Sequence, residues 1–100
     1  MENLKQYLLE NTTREIEAKE EEVRKSNEEL EVLESRIKVE NKMSTMKDIP
    51  EEIAEDVKYS AEALESMLIM EKDRNAELEK ELKVLNYRKQ VINKFEDGEL

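Results

Sequence analysis

The stretch Ser44-Thr45-Met46-Lys47-Asp48-Ile49-Pro50-Glu51-Glu52 decides how this chain folds. It carries the only proline, at the midpoint of 100 residues. Proline disfavours helical geometry at the residue before it. It suits the first position of a new helix, where its missing N–H would have had no partner. Glu51 and Glu52 then fall in a first turn, where the helix dipole favours negative charge. The stretch therefore predicts a helix ending near 45, a turn at 46–49 and a second helix from Pro50 to about 97. The only glycine, Gly98, follows Asp97 and reads as a C-terminal stop. At the other end, Asn3 with Gln6 three residues on has the pattern of a capping box, opening a first helix over about 3–45.

Outward from the turn, both segments carry a heptad seam. Leu9, Ile16, Val23, Leu30 and Ile37 recur every seventh residue. As position a they place Thr12, Lys19, Ser26, Leu33 and Glu40 at d. In the second segment Val57, Leu64, Leu78, Leu85 and Ile92 occupy d, with Glu71 intruding. Ala54, Ala61, Leu68 and Leu82 occupy a, with Asn75 and Lys89 intruding. A hairpin folded at 47–49 sets Ile16 near Leu82, Leu30 near Leu68 and Leu33 near Leu64. The same register sets Ser26 beside Glu71 and Val23 beside Asn75, so the polar intrusions fall together. One unbroken helix would keep a single phase through residue 50, and Ile37 is instead followed in that phase by Ser44, Glu51 and Lys58. The expected fold is all-α: an antiparallel two-helix coiled-coil hairpin in a single domain, 1–100. Glu–basic pairs at i, i+4, such as Glu10–Arg14, Glu15–Lys19, Glu34–Lys38 and Glu79–Lys83, support the helices.

Composition agrees. Charged residues make up 44 % and aromatics 4 %, with 27 acids against 17 bases and a net charge of −10. Such a chain fits long helices rather than a broad core. Neither half is basic, with 13 acids and 9 bases in 1–50 and 14 and 8 in 51–100. Direct nucleic-acid binding, which needs a cationic face, is therefore not expected. The longest apolar run, Met67-Leu68-Ile69-Met70, is too short to span a membrane. The first residues, Met1-Glu2-Asn3-Leu4, lack the features of a secretory signal, so the cytoplasm is the expected location.

Cysteine and histidine are absent, which removes thiolate chemistry, the usual general base and the common zinc ligands. No cofactor, metal or catalytic residue is expected, and the chain reads as a non-enzyme. A polar core layer is expected from Lys19, Ser26, Asn27, Glu71 and Asn75, fixing register as buried Asn does in zippers. The acidic tip, Asp48, Glu51, Glu52, Glu55 and Asp56, reads as solvated surface.

Two groups of apolar residues remain. Leu64, Met67, Leu68, Ile69 and Met70 suggest self-association into a dimeric four-helix bundle. Val84, Tyr87, Val91 and Phe95 make an i, i+3, i+4, i+7-type row that suits docking to a protein partner. The primary expectation is a small interaction protein, such as an adaptor, assembly factor or inhibitor. An alternative is an acidic nucleic-acid mimic, phage-encoded and directed at a host nuclease or defence system. A further alternative is a helical secretion chaperone or export partner. In outline the hairpin resembles WXG100-type secretion partners, with Asp48-Ile49-Pro50 where they have Trp-x-Gly. Its acidic tip is also similar to that of Gre-type coiled-coil factors, which carry a second domain.

Overall fold

The computed structural model describes residues 3–100, and among them are two helices and no strand: α1, Leu4–Ser44, and α2, Glu51–Lys94. Their ends follow from local chemistry. The Asn3 side chain accepts a hydrogen bond from the Gln6 amide at 3.0 Å, and the Asn3 carbonyl accepts one from Tyr7, so Asn3 is the N-cap. The reciprocal half of the capping box is replaced, because Gln6 Nε2 donates to Glu10 Oε1 instead. At the far end of α1, the Ser44 and Thr45 hydroxyls donate to the Asn41 and Lys42 carbonyls, satisfying acceptors that a helix end leaves open.

Pro50 stands one position earlier than expected. Its carbonyl accepts from Ile53 and Ala54, so it is the N-cap of α2, and Glu51 is the first helical residue. The second helix also ends sooner than 97. Lys94 is its last residue, and Gly98 belongs to a separate turn in which the Glu99 amide donates to the Glu96 carbonyl. Gly98 has φ +91°, the left-handed region that a side chain disfavours, at the third position of that turn.

The fold comprises two compact units, Met1–Arg24 with Ala76–Leu100 and Lys25–Asn75. In each, a stretch of α1 packs against a stretch of α2. The first unit buries Thr12, Ile16, Leu78 and Leu85. The second buries Ser26, Leu33, Val57 and Asn75. From Leu9 to Glu40 and from Ala54 to Ile92, every a and d position is buried or half-buried. The expected seams are the ones observed. Where hydrogen bonds between the helices fix the register, it is displaced by a few residues. Ser26 meets Glu71 as expected, and Asn75 hydrogen-bonds to Ser26 and Asn27.

Candidate interaction surface

The polar layer is closed. In the Lys25–Asn75 unit, Ser26 Oγ donates to Glu71 Oε1 at 2.8 Å and accepts from Asn75 Nδ2 at 3.0 Å. Asn75 Nδ2 also donates to Asn27 Oδ1 at 2.9 Å, and Arg74 secures Glu71 from outside at 3.0 Å. Ser26 is 1 % exposed, so these bonds replace water that it has lost. Among the described residues no buried side-chain polar atom lacks a partner. Because Ser26 contacts both Glu71 and Asn75, a slip along the seam would strand a buried polar group, which costs more than the bonds gain when made.

Lys19 does not join this layer. It lies in the other unit, where Nζ reaches Glu81 at 2.7 Å and Glu22 at 3.6 Å. Its pKa is held above the ordinary lysine value, chiefly by the hydrogen bond to Glu81; burial opposes this and the charges of Glu22 and Glu81 add to it. The ion pairs within one helix, Lys19–Glu22, Arg24–Glu21 and Glu71–Arg74, use i, i+3 spacing. Exposed pairs of this kind contribute little individually.

What distinguishes the surface is its one-sidedness. With a and d in the seam, positions c and g form one flank of each helix and b and e the other. In the Lys25–Asn75 unit the c/g flank carries Val32, Val39, Met43, Ile53, Met67 and Met70. On its b/e flank Ile69 stands alone among charged and amide side chains. In the other unit the c/g flank carries Leu4, Leu8, Ala18, Val84 and Val91, and Ala76 is the only apolar residue on b or e. Val39, Met70 and Val91 are 58 %, 71 % and 48 % exposed, so the seam does not cover this flank.

This placement divides the expected self-association cluster. Leu64 and Leu68 are half-buried in the intrachain seam. Met67 and Met70 lie on the c/g flank, and Ile69 faces the opposite side. The expected docking row holds together better. Val84, Tyr87 and Val91 line a groove of about 650 Å³ with Leu8, Thr12 and Ile92, rimmed by Glu15, Lys80, Lys83 and Arg88. Phe95 lies half-buried just past α2 and is not part of the groove wall. A contiguous depression of about 520 Å³ shares Glu15, Lys80, Val84 and Arg88. In the other unit a smaller one of about 430 Å³ lies among c and g positions, between Arg36 and Val39 of α1 and Ser60 and Ala63 of α2. The acidic tip residues Asp48, Glu51, Glu52, Glu55 and Asp56 are all exposed.

Sequence reasoning missed the cationic rim and the contribution of Leu8. The available signal was heptad position: Leu8, Val84 and Val91 read as scattered off-seam residues until they are sorted into c and g. Among the described residues no group of three or more acidic side chains is arranged to hold a metal ion, and no helix is long and apolar enough to cross a membrane. No family model, curated protein or solved structure matches the chain.

Proposed function

We propose that this chain acts without catalysis, as a helical interaction protein whose c/g flank is its binding surface. The supporting observation is that most of the exposed aliphatic and methionine side chains of the two helices, Val32, Val39, Ile53, Met67, Met70, Val84 and Val91 among them, lie on that flank, against a b/e flank that is almost wholly polar, while Tyr7, Tyr59 and Tyr87 stand on the outer face between the two. Scattered apolar residues on a surface are ordinary, but a contiguous one-sided set marks an interface. Helix-on-helix packing is the fitting mode, because the flank offers ridges at i, i+3, i+4 and i+7 with grooves beside them.

In this reading two hairpins pair through Met67 and Met70 into a four-helix bundle. The row Val84, Tyr87 and Val91 receives a further helix. The test is the mass of the free chain at micromolar concentration, for wild type and for Met67→Ser/Met70→Ser. A dimer that the double substitution converts to a folded monomer supports the proposal. A monomeric, fully helical wild type refutes the pairing.

A further inference from the structure

We infer that the groove walled by Val84 and Val91 of α2 and Leu8 of α1 receives an acidic amphipathic helix of a different protein, one whose apolar stripe is bordered by carboxylates. This rests on the reading of the c/g flank as the binding surface and adds the chemistry and the length of the helix that the groove takes.

Charge carries the inference, and all of it lies within the unit Met1–Arg24 with Ala76–Leu100. In a chain with 27 acids and 17 bases, residues 80–94 carry five bases and one acid, Glu81, which Lys19 already holds at 2.7 Å. Three of those bases, Lys80, Lys83 and Arg88, rim the groove, with Glu15 as the only acid on it. Among the described residues none of the three has an ion-pair partner, and the Glu79–Lys83 pair expected from i, i+4 spacing does not form. The groove is thus an apolar channel edged by positive charge that the unit does not neutralise. Tyr87, 70 % exposed, adds a phenolic hydroxyl to the same wall, a donor for a carboxylate. Hydrogen bonds from cations to carboxylates are the strong kind, and they suit an occupant that brings acids to this edge.

The walls set the size of the occupant. They run from Leu8 to Glu15 on α1 and from Lys80 to Ile92 on α2. At about 1.5 Å per residue the longer wall measures about 18 Å, a little over three helical turns. Val84 and Val91 stand seven residues apart, and Lys80 and Arg88 eight apart. A helix lying along this wall meets the valines with apolar residues at i, i+3, i+4 and i+7, and meets the cations with acids two turns apart. The cations stand on the α2 side and Glu15 on the α1 side, so the acids belong on one edge of the occupant. A second copy set groove against groove would bring two sets of the same three cations together, a like-charge juxtaposition that interfaces select against. A lipid surface would meet the rim but not the buried Thr12 between the walls. A nucleic acid would meet the cations and leave Leu8, Val84 and Val91 without apolar partners.

Two labelled peptides and the full chain test this by fluorescence anisotropy. One peptide has about 18 residues, long enough to form a helix on binding, with Leu in an i, i+3, i+4, i+7 row, Glu along one edge and Gln along the other. Its counterpart has Lys in place of Glu. Wild type is expected to bind the Glu peptide at least about tenfold more tightly than the Lys peptide. Lys80→Glu/Arg88→Glu is expected to reverse that preference and Lys80→Gln/Arg88→Gln to remove it, with helicity of each checked by circular dichroism. Val84→Ser/Val91→Ser is expected to weaken the Glu peptide at least about tenfold. Lys58→Glu/Lys72→Glu, the same charge change on the b/e flank of the other unit, is expected to stay within about twofold of wild type in 0.15 M salt. If wild type binds both peptides alike, the preference for acids is overturned while the flank remains a docking surface. If binding of the Glu peptide survives Val84→Ser/Val91→Ser, the attraction is to charge alone and the groove is overturned as its seat. If neither peptide binds, the proposal falls. A mass of the free chain that Lys80→Glu/Arg88→Glu lowers would then name a second copy as occupant, and binding to phosphatidylserine vesicles would name a lipid surface. Hairpin pairing is read separately, by the mass of Met67→Ser/Met70→Ser, so its failure and the failure of this inference are told apart.

Discussion

The two units solve one problem by different means. Each must seat polar residues in a narrow helix–helix seam. The Lys25–Asn75 unit encloses Ser26 and Asn75, which bond to each other, to the half-buried Glu71 and to the exposed Asn27 at the edge. The other unit buries the single hydroxyl of Thr12 but sends Lys19 outward, so that it meets Glu81 and Glu22 at the solvent edge. Enclosure gives register at the cost of desolvation. Edge pairing costs little and specifies little. The outer surfaces differ as well. One unit presents methionines and valines on its c/g flank, and the other a valine-walled groove with a cationic rim.

The largest effect that could break this comparison is loss of an apolar seam residue. Leu33, 1 % exposed, sits in the unit with the enclosed layer, and Leu33→Ala is expected to cost about 2–4 kcal/mol by chemical denaturation. Leu85→Ala in the other unit, at a slightly more open position, falls toward the low end of that range. Equal losses at both would show that enclosure confers no tighter packing.

Next in size is the layer itself. Asn75→Ala removes the donor to Ser26 and Asn27 and is expected to cost about 1–3 kcal/mol. Replacing Ser26, Glu71 and Asn75 together by Leu should instead raise the melting temperature and broaden the distribution of assembled species, because nothing then fixes the register. A stabilised triple variant with one sharp assembly state would remove the register role.

The smallest effect concerns Lys19. Its pKa is raised in the folded chain, so its ion pair contributes fully at pH values below the ordinary lysine value of 10.5 and is lost as the pH rises through the higher folded value. Wild type should therefore lose melting temperature above pH 10.5 more steeply than Lys19→Gln. Parallel profiles for the two would show that the edge pair contributes nothing.

Much of this was legible in the sequence, for stated reasons. The a and d residues repeat every seven positions, so the seam could be read without coordinates, and Pro50 together with the broken phase marked the turn. The helix ends were less accessible. Whether Pro50 serves as N-cap or first residue, and whether Gly98 ends α2 or shapes a later turn, depends on individual backbone hydrogen bonds. Register was approximate because an antiparallel pair lets one residue, Ser26, sit between two partners four apart, Glu71 and Asn75. Lys19 was grouped with the layer by heptad position alone, but its long side chain reaches outward to Glu81. The separation of Ile69 from Met67 and Met70 needed only the assignment of flanks. The groove needed the structure, because Leu8 and Val91 belong to different helices far apart in the chain.

The central claim is that a second copy covers the c/g flank of the Lys25–Asn75 unit. Met43, Met67 and Met70 all lie on it, so their oxidation by dilute peroxide, followed by peptide mass spectrometry at rising protein concentration, tests the claim most directly. The account predicts that Met67 and Met70 become progressively protected as dimer forms. Oxidation of both at one unchanging rate across the whole concentration range would contradict it.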